Sequence, residues 1–218
     1  GDAGHVASFD RCPEALEAAK ARTKEAGMSN VSTHLADLND PLPSDFLGPQ
    51  PWDAVVGRRV LMYLTDPVKT LGSILPALGP AGVVVFEEAS FGIHPRSMVP
   101  MPAHDLAMSW LIKMLDTEGA ATNMGFRLPL LFAEAGLAVA GIRCEGVMIN
   151  HGSQYPLTHM MGMMQERIIA SGAATSDEIL QLSKRLDVEA ATPSAVFIMN
   201  HSFSAWAVLE SQKNQADS

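Results

Sequence analysis

Cysteine is scarce in this chain of 218 residues: Cys12 and Cys144 are its only two, and they form no CxxC pair. That argues against a zinc site and a disulfide framework, and it fits a reducing compartment. Positive charge is short as well. Lys and Arg number 15 against 24 Asp and Glu, a formal charge of -9, and no run of basic residues interrupts it. A phosphate backbone finds no electrostatic footprint here, so nucleic acid is not the expected partner. No stretch nears the ~20 consecutive apolar residues of a membrane helix. The opening GDAGHVASFD also lacks the basic flank and apolar core of a signal peptide. The expectation is a cytoplasmic protein with no membrane partner.

What the chain does carry is enough apolar surface to fold. Hydrophobic residues make up 47%, charged residues 18%, and mean hydropathy is +0.11, which is globular composition. The length suits a single domain over residues 1–209, with a polar tail at 210–218. Short apolar runs alternate with helical patterns, the grammar of a doubly wound, mostly parallel α/β sheet. Residues 5–9 (HVASF) read as a strand closing on Asp10. A helix over Pro13–Ala26 follows, with Gly27 where a left-handed residue is needed. Strands are expected over Val31–Leu35 and Ala54–Gly57, separated by a Pro-rich loop. Asp66-Pro67 opens a helix whose Val68, Leu71, Ile74, Leu75 and Leu78 keep the helical period until Gly79-Pro80. Residues 83–86 (VVVF) suit a strand buried on both faces.

Beyond Phe86 the rhythm changes. A segment with three prolines leads into a helix over Asp105–Glu118, apolar nearly all round as a lid or a dimer surface would be. Helices are expected over Phe126–Ala135 and Thr158–Ala170, the second presenting Met160, Met161, Met164 and Ile168 on one face. Val139–Ile149 reads as a strand, and a Thr175/Glu178 capping box opens a helix to about Leu186. Ala195–Met199 and Phe203–Leu209 read as late strand. Residues 91–123 and 150–193 are the expected helical cap insertions.

Ligands of doubly wound sheets bind at the carboxyl ends of the strands, where an acid can accept from both hydroxyls of a ribose. Asp10 stands in such a place, although an Asp capping the next helix reads identically. Asp37 ends the second strand, and the third is entered through WDAVVG.

The linked series ASFDRCPEALEAAKAR, NVSTHLADL, WDAVVGRRVLMYLTDPVKTLGSILPALGPAGVVVFEE and MGFRLPLLFAEAGL covers most of residues 4–150. In order and spacing it resembles the class I S-adenosylmethionine-dependent methyltransferases. The resemblance implies a Rossmann-like sheet, S-adenosylmethionine as cofactor and methyl transfer to a small-molecule acceptor. By position it puts Asp10 on the ribose and Arg11 along the adenine. Asp37 would accept from the adenine amino group, Leu38 would donate its backbone amide, and Gly57 and Arg58 would line the methionine end. The family's glycine-rich loop follows its first strand. Gly1-Asp2-Ala3 reads as the remnant of that loop, so Gly1 joins the cofactor residues and the first strand is expected to be missing. The alternative reading is a catalytically inactive, methyltransferase-like binding or partner subunit.

A sulfonium carries its methyl group already activated, so neither a metal nor a covalent nucleophile is implied. A short-chain dehydrogenase needs Tyr and Lys four apart, whereas Tyr63 is followed by Pro67 and Tyr155 by His159. The Asn/Asp-Pro-Pro-aromatic motif of nucleobase methyltransferases is replaced by GRRV. His94 and His104, in the first insertion, are the candidate general bases, though surface or helix-end histidines read the same way. His151 and His159 lie in the second insertion. Arg58, Arg59, Glu87 and Glu88 suit either a charged acceptor or an ion-pair network, and Tyr63 either a pocket wall or helix packing. The Met-rich helices suit an apolar or aromatic acceptor pocket, a core or a homodimer contact. Cys12 reads as a small buried residue, or as a reactive thiol near the cofactor.

Overall fold

Val6–Asp10 forms β1 and Val31–Leu35 forms β2, joined by helix α1 over Pro13–Glu25. Proline opens α1 because the first turn leaves amides unpaired in any case. Gly27, just past its end, sits at φ 68, which glycine adopts without strain. The computed structural model describes residues 3–42, 51–92, 97, 99–150 and 156–209. Gly1, His94, His151 and the 210–218 tail lie outside the described residues.

The chain continues through β3 (Trp52–Arg58), a 3-10 turn at Leu61–Tyr63, helix α2 (Pro67–Ile74) and β4 (Leu78–Ala89). Helices α3 (Pro102–Thr117) and α4 (Met124–Glu134) precede β5 (Val139–Ile149). Then come α5 (Pro156–Met163), α6 (Gln165–Ala170), α7 (Ser176–Ala190) and β6 (Phe197–Val208). β1 and β2 pair in parallel, as do β3 and β4, while β6 lies antiparallel between β4 and β5. The sheet is in two pieces, β1-β2 and β3-β4-β6-β5. The His5 ring lies 6.0 Å from Trp52 at the start of β1 and β3, and the Arg11 guanidinium lies 5.9 Å from the Tyr63 ring beyond their ends. The two strands therefore run in the same direction.

One continuous core joins the sheet to the helices. Val84 and Phe86 of β4 and Ala205 and Ala207 of β6 pack with Leu128, Leu131 and Phe132 of α4. Met108 and Met114 of α3 and Met161 and Ile168 of α5 and α6 belong to the same core. The methionine face of the late helices thus turns inward, with Met160 and Met164 packed against it. α3, α5, α6 and α7 touch one another, and the Glu189 carboxylate of α7 accepts the first-turn amides of Ala103 and His104 in α3 at 2.7 and 3.0 Å. No helix among the described residues is long and apolar enough to cross a membrane.

Several boundaries differ from the sequence reading, for identifiable reasons. α2 stops at Ile74 because Pro76 has no amide for a continuing helix, and the chain tightens into a 3-10 turn. Leu78 then pairs with Trp52 as the first residue of β4, and the pairing resumes at Ala54 with Val83 after a bulge that holds Ala81 at φ 62. Thr158–Ala170 breaks at Met164 into two helices, with the Met164 amide donating to the Met160 carbonyl at 3.0 Å and the Met164 carbonyl accepting the Ile168 amide at 2.9 Å. The capping box is present, and α7 runs on to Ala190. Cys12 is exposed, because it lies at the solvent-facing start of α1 with its thiol 3.1 Å from Glu14.

α4 carries a glycine where packing leaves no room: a Cβ on Gly125 would stand 2.5 Å from the Phe203 ring. Alanine gains about 0.5–1 kcal/mol over glycine inside a helix, but overpacking costs about 1–3 kcal/mol. Gly125→Ala is therefore expected to lower the denaturation midpoint, and an unchanged or raised midpoint would contradict this packing.

Candidate functional site

The carboxyl ends of β1, β2, β3 and β4 bring together most of the residues singled out from the sequence. The Asp10 carbonyl accepts the Ala36 amide at 3.0 Å, which ties the exit of β1 to the exit of β2. Asp10 itself is exposed, and its Oδ1 accepts the Cys12 amide at 2.9 Å. The helix-start role and the ligand role are therefore open to the same side chain.

Asp37 Oδ1 accepts the amide and the side-chain NH2 of Asn39, each at 2.9 Å. The Asn39 amide holds its carboxyl below the usual range against the pull of burial, and the Asn39 side chain and the Arg11 charge add to the lowering. Asn39 Oδ1 in turn accepts the Thr65 amide at 2.8 Å, and the Leu38 carbonyl accepts from Thr70 Oγ1 at 3.0 Å. These bonds fasten the β2 exit to the start of α2.

At the end of β3, Gly57 pairs with Phe86, whose ring would meet a Cβ there at 2.2 Å. Arg58 extends along the surface, and its Nε donates to Glu87 Oε1 at 2.8 Å, which holds the Glu87 carboxyl below the usual range. Arg59 is held at φ 53, its amide donating to the Glu87 carbonyl at 2.8 Å. Glu88 points the other way, into the core. Its Oε1 accepts the amides of Val60 and Leu61 at 2.9 and 2.8 Å, and its Oε2 is buried with no hydrogen-bond partner. Burial pushes this carboxyl up to about 7, against the pull of the Leu61, Val60 and Met62 amides and the Arg59 charge. The ion-pair reading made from the sequence holds for Glu87; Glu88 grips backbone instead.

The helical layer of α3, α5, α6 and α7 reaches this edge through Tyr63. The Arg167 guanidinium of α6 takes both oxygens of Glu118, at the end of α3, with Nε at 2.8 Å, and it also bonds Tyr63. The pairing lowers Glu118 and raises Arg167. The Ala121 amide donates to the Met62 carbonyl at 2.7 Å and Phe91 to Thr122 at 2.8 Å, so the turn after β3, the exit of β4 and the loop after α3 form one floor. His104 is not on that floor. It is 3% exposed, with its ring 5.1 Å from Phe197 at the start of β6. Burial lowers its pKa against the pull of Asp105 and Glu189. His159 is exposed on α5.

The model of a family described as the methyltransferase domain matches residues 1–152. The chain belongs to this family, the class I S-adenosylmethionine-dependent methyltransferases. It is a methyltransferase domain, and S-adenosylmethionine is its cofactor. Two solved structures share its fold. The YcgJ protein of Bacillus subtilis is 15% identical with a TM-score of 0.55, over 94% of this chain and 82% of that one. A Bacillus halodurans protein assigned as a methyltransferase is 15% identical with a TM-score of 0.57, over 95% of this chain and 84% of that one. No curated protein matches the chain.

The bidentate Arg167–Glu118 pair joins α6 to the end of α3 beside Tyr63 and is partly open to solvent, with side chains 43% and 34% exposed. A double-mutant cycle of Arg167→Ala and Glu118→Ala is expected to give a coupling of about 1 kcal/mol that shrinks with added salt. Additive single losses would mean that the pair does not couple the helices.

Proposed function

We propose that this domain transfers the methyl group of S-adenosylmethionine to a small acceptor, with the cofactor held across the carboxyl ends of β1, β2 and β3. The observation that carries the reading is the convergence of Asp10, Arg11 and Asp37 on one edge, where the Asp10 carbonyl is bonded to Ala36 and the Arg11 charge acts on Asp37. The residues fit the group. Asp10 is exposed and can turn a carboxylate oxygen to the ribose hydroxyls. Asp37, held ionised, suits the adenine amino group, with the Leu38 amide beside it. Arg11 flanks the adenine, and Gly57 with Arg58 borders the methionine end, where Arg58 would share itself with Glu87. Gly1 enters on the family resemblance alone.

Bound there, S-adenosylmethionine supplies a methyl group that needs no further activation. The chain's own task is to orient the acceptor in line and to take its proton where one must leave. His94 and His104 are the histidines we assign to that proton. His104, whose lowered pKa keeps it neutral and able to accept, would have to turn from its contact with Phe197. We read the acceptor as apolar or aromatic from Tyr63, half-buried at this edge; the methionines of the late helices pack in the core. Residues 1–209 are read as one domain with cap insertions at 91–123 and 150–193, placed in the cytoplasm, with a homodimer as its assembly.

Titration with S-adenosylmethionine and S-adenosylhomocysteine tests the reading. Asp10→Ala is expected to weaken binding by about 2 kcal/mol through the loss of charge-assisted bonds, beyond a stability loss of about 1 kcal/mol from its turn with Cys12. Unchanged affinity would remove Asp10 from the site. Failure of the unaltered protein to bind either compound would favour the partner-subunit reading.

A further inference from the structure

Glu88, the penultimate residue of β4, has 1% of its surface exposed. Strand alternation puts it on the face of Val84 and Phe86, while Glu87 points outward to Arg58 and to Ser202, 3.1 Å away. Glu88 Oε1 takes the amides of Val60 and Leu61, and the Glu87 carbonyl takes that of Arg59. Two consecutive residues of β4 therefore hold three consecutive amides of the β3 exit. Within that run Arg59 keeps φ 53, a conformation that a non-glycine residue retains only where its surroundings impose it. Accepting amides requires an oxygen and not a charge. A glutamine would do it without the cost of burying an ionisable group, and Oε2 gains no partner in return.

We propose that Glu88 is a positioning residue for the transfer site: its carboxyl holds the Arg59–Leu61 turn, and with it the Gly57–Arg58 end of β3, in the orientation that the cofactor meets. Its affinity arm rests on the cofactor reading above; its backbone arm does not. The carboxyl exchanges its proton near neutrality, at about 7, and the ionised form grips amides more strongly. The grip therefore follows pH. Few charges face it. Arg59 acts on it from the turn, Glu87 of β4 is engaged outward with Arg58, β6 sets Phe203 opposite it, and Arg127 and Glu134 of α4 are exposed and pair with each other at 3.8 Å.

The test uses the full chain, unaltered and as Glu88→Gln and Glu88→Ala, with S-adenosylhomocysteine as probe from about pH 4 to 8.5. Glu88→Gln keeps an oxygen for the two amides and is expected to bind within about twofold of the unaltered protein at pH 6, whereas Glu88→Ala binds about tenfold more weakly. Between about pH 6 and 8.5, above the ordinary titration range of carboxylates such as Asp10 and Asp37, affinity changes in the unaltered protein and is flat in Glu88→Gln. The sign for stability is also fixed. The unfolded carboxyl ionises from about 4.5 and the folded one only near 7, so the unaltered protein loses melting temperature relative to Glu88→Gln across that window and not above it. Amide protection at Val60 and Leu61 falls in Glu88→Ala and survives in Glu88→Gln. Unaltered protection in Glu88→Ala, or a melting-temperature gap independent of pH, would overturn the proposal. So would equal pH profiles of affinity in the unaltered protein and Glu88→Gln. Absence of probe binding by the unaltered protein, with protection and melting as expected, would overturn the cofactor reading and leave the hold on the turn standing.

Discussion

The parallel register of β3 against β4 is the constraint on which the site depends. It sets Gly57 against Phe86 and Arg58 against Glu87, and through strand alternation it decides which of two adjacent acids meets water. Val84, Phe86 and Glu88 are buried, while Val83, Val85 and Glu87 are half-buried. A slip of one residue would exchange the two faces, putting Glu87 into the core and Glu88 outside. The outward ion pair and the inward hold on the β3 exit are thus two products of one alignment. Phe86 reinforces it: its ring occupies the space over Gly57 that any side chain would need.

The helical layer depends on bonds between residues far apart in the chain. Glu189 of α7 satisfies two first-turn amides of α3, which are unpaired donors at the positive end of the helix dipole. Arg167 joins α6 to the end of α3, and Lys113 of α3 donates to the Gly172 carbonyl at 2.7 Å. Inside this layer methionines fill the space between helices, a role their unbranched side chains suit. These helices and the sheet share a single core, so the edge carrying Tyr63 is stiffened from both sides.

Much of this was legible in the sequence where the signal is local. β2 and β5 follow the expected bounds, and α1 and α7 begin where proline and the Thr175/Glu178 box put them. Asp10 and Asp37 fall at strand ends because an apolar run closed by an acid is a pattern of a few residues. Legibility failed where a distant partner decides. Gly79-Pro80 looks like a helix stop, yet it lies in a bulge because Leu78 finds Trp52 across the sheet. The grip of Glu88 on Val60 and Leu61 spans 28 and 27 residues, and that of Glu189 on Ala103 spans 86. No spacing rule links such positions. At His104 residue type alone says little about surroundings: the fold gives it an aromatic neighbour and little water.

β5 is the outer strand of the larger piece among the described residues, and it exposes Ile142, Val147 and Met148. Such an edge is a template for another strand, and proteins commonly blunt it with lysine, proline or bulges. β5 has neither lysine nor proline, but its pairing with β6 shifts at Val139/Gly141 and again at Gly146/Met148. The exposed Arg143 and Glu145 put charge on the strand itself, and the rest of the protection is colloidal. A net charge of -9 makes copies repel before their edges meet, and that repulsion weakens with ionic strength and as pH approaches the isoelectric point near 5.1. The acidic composition thus helps to keep the outer strand single.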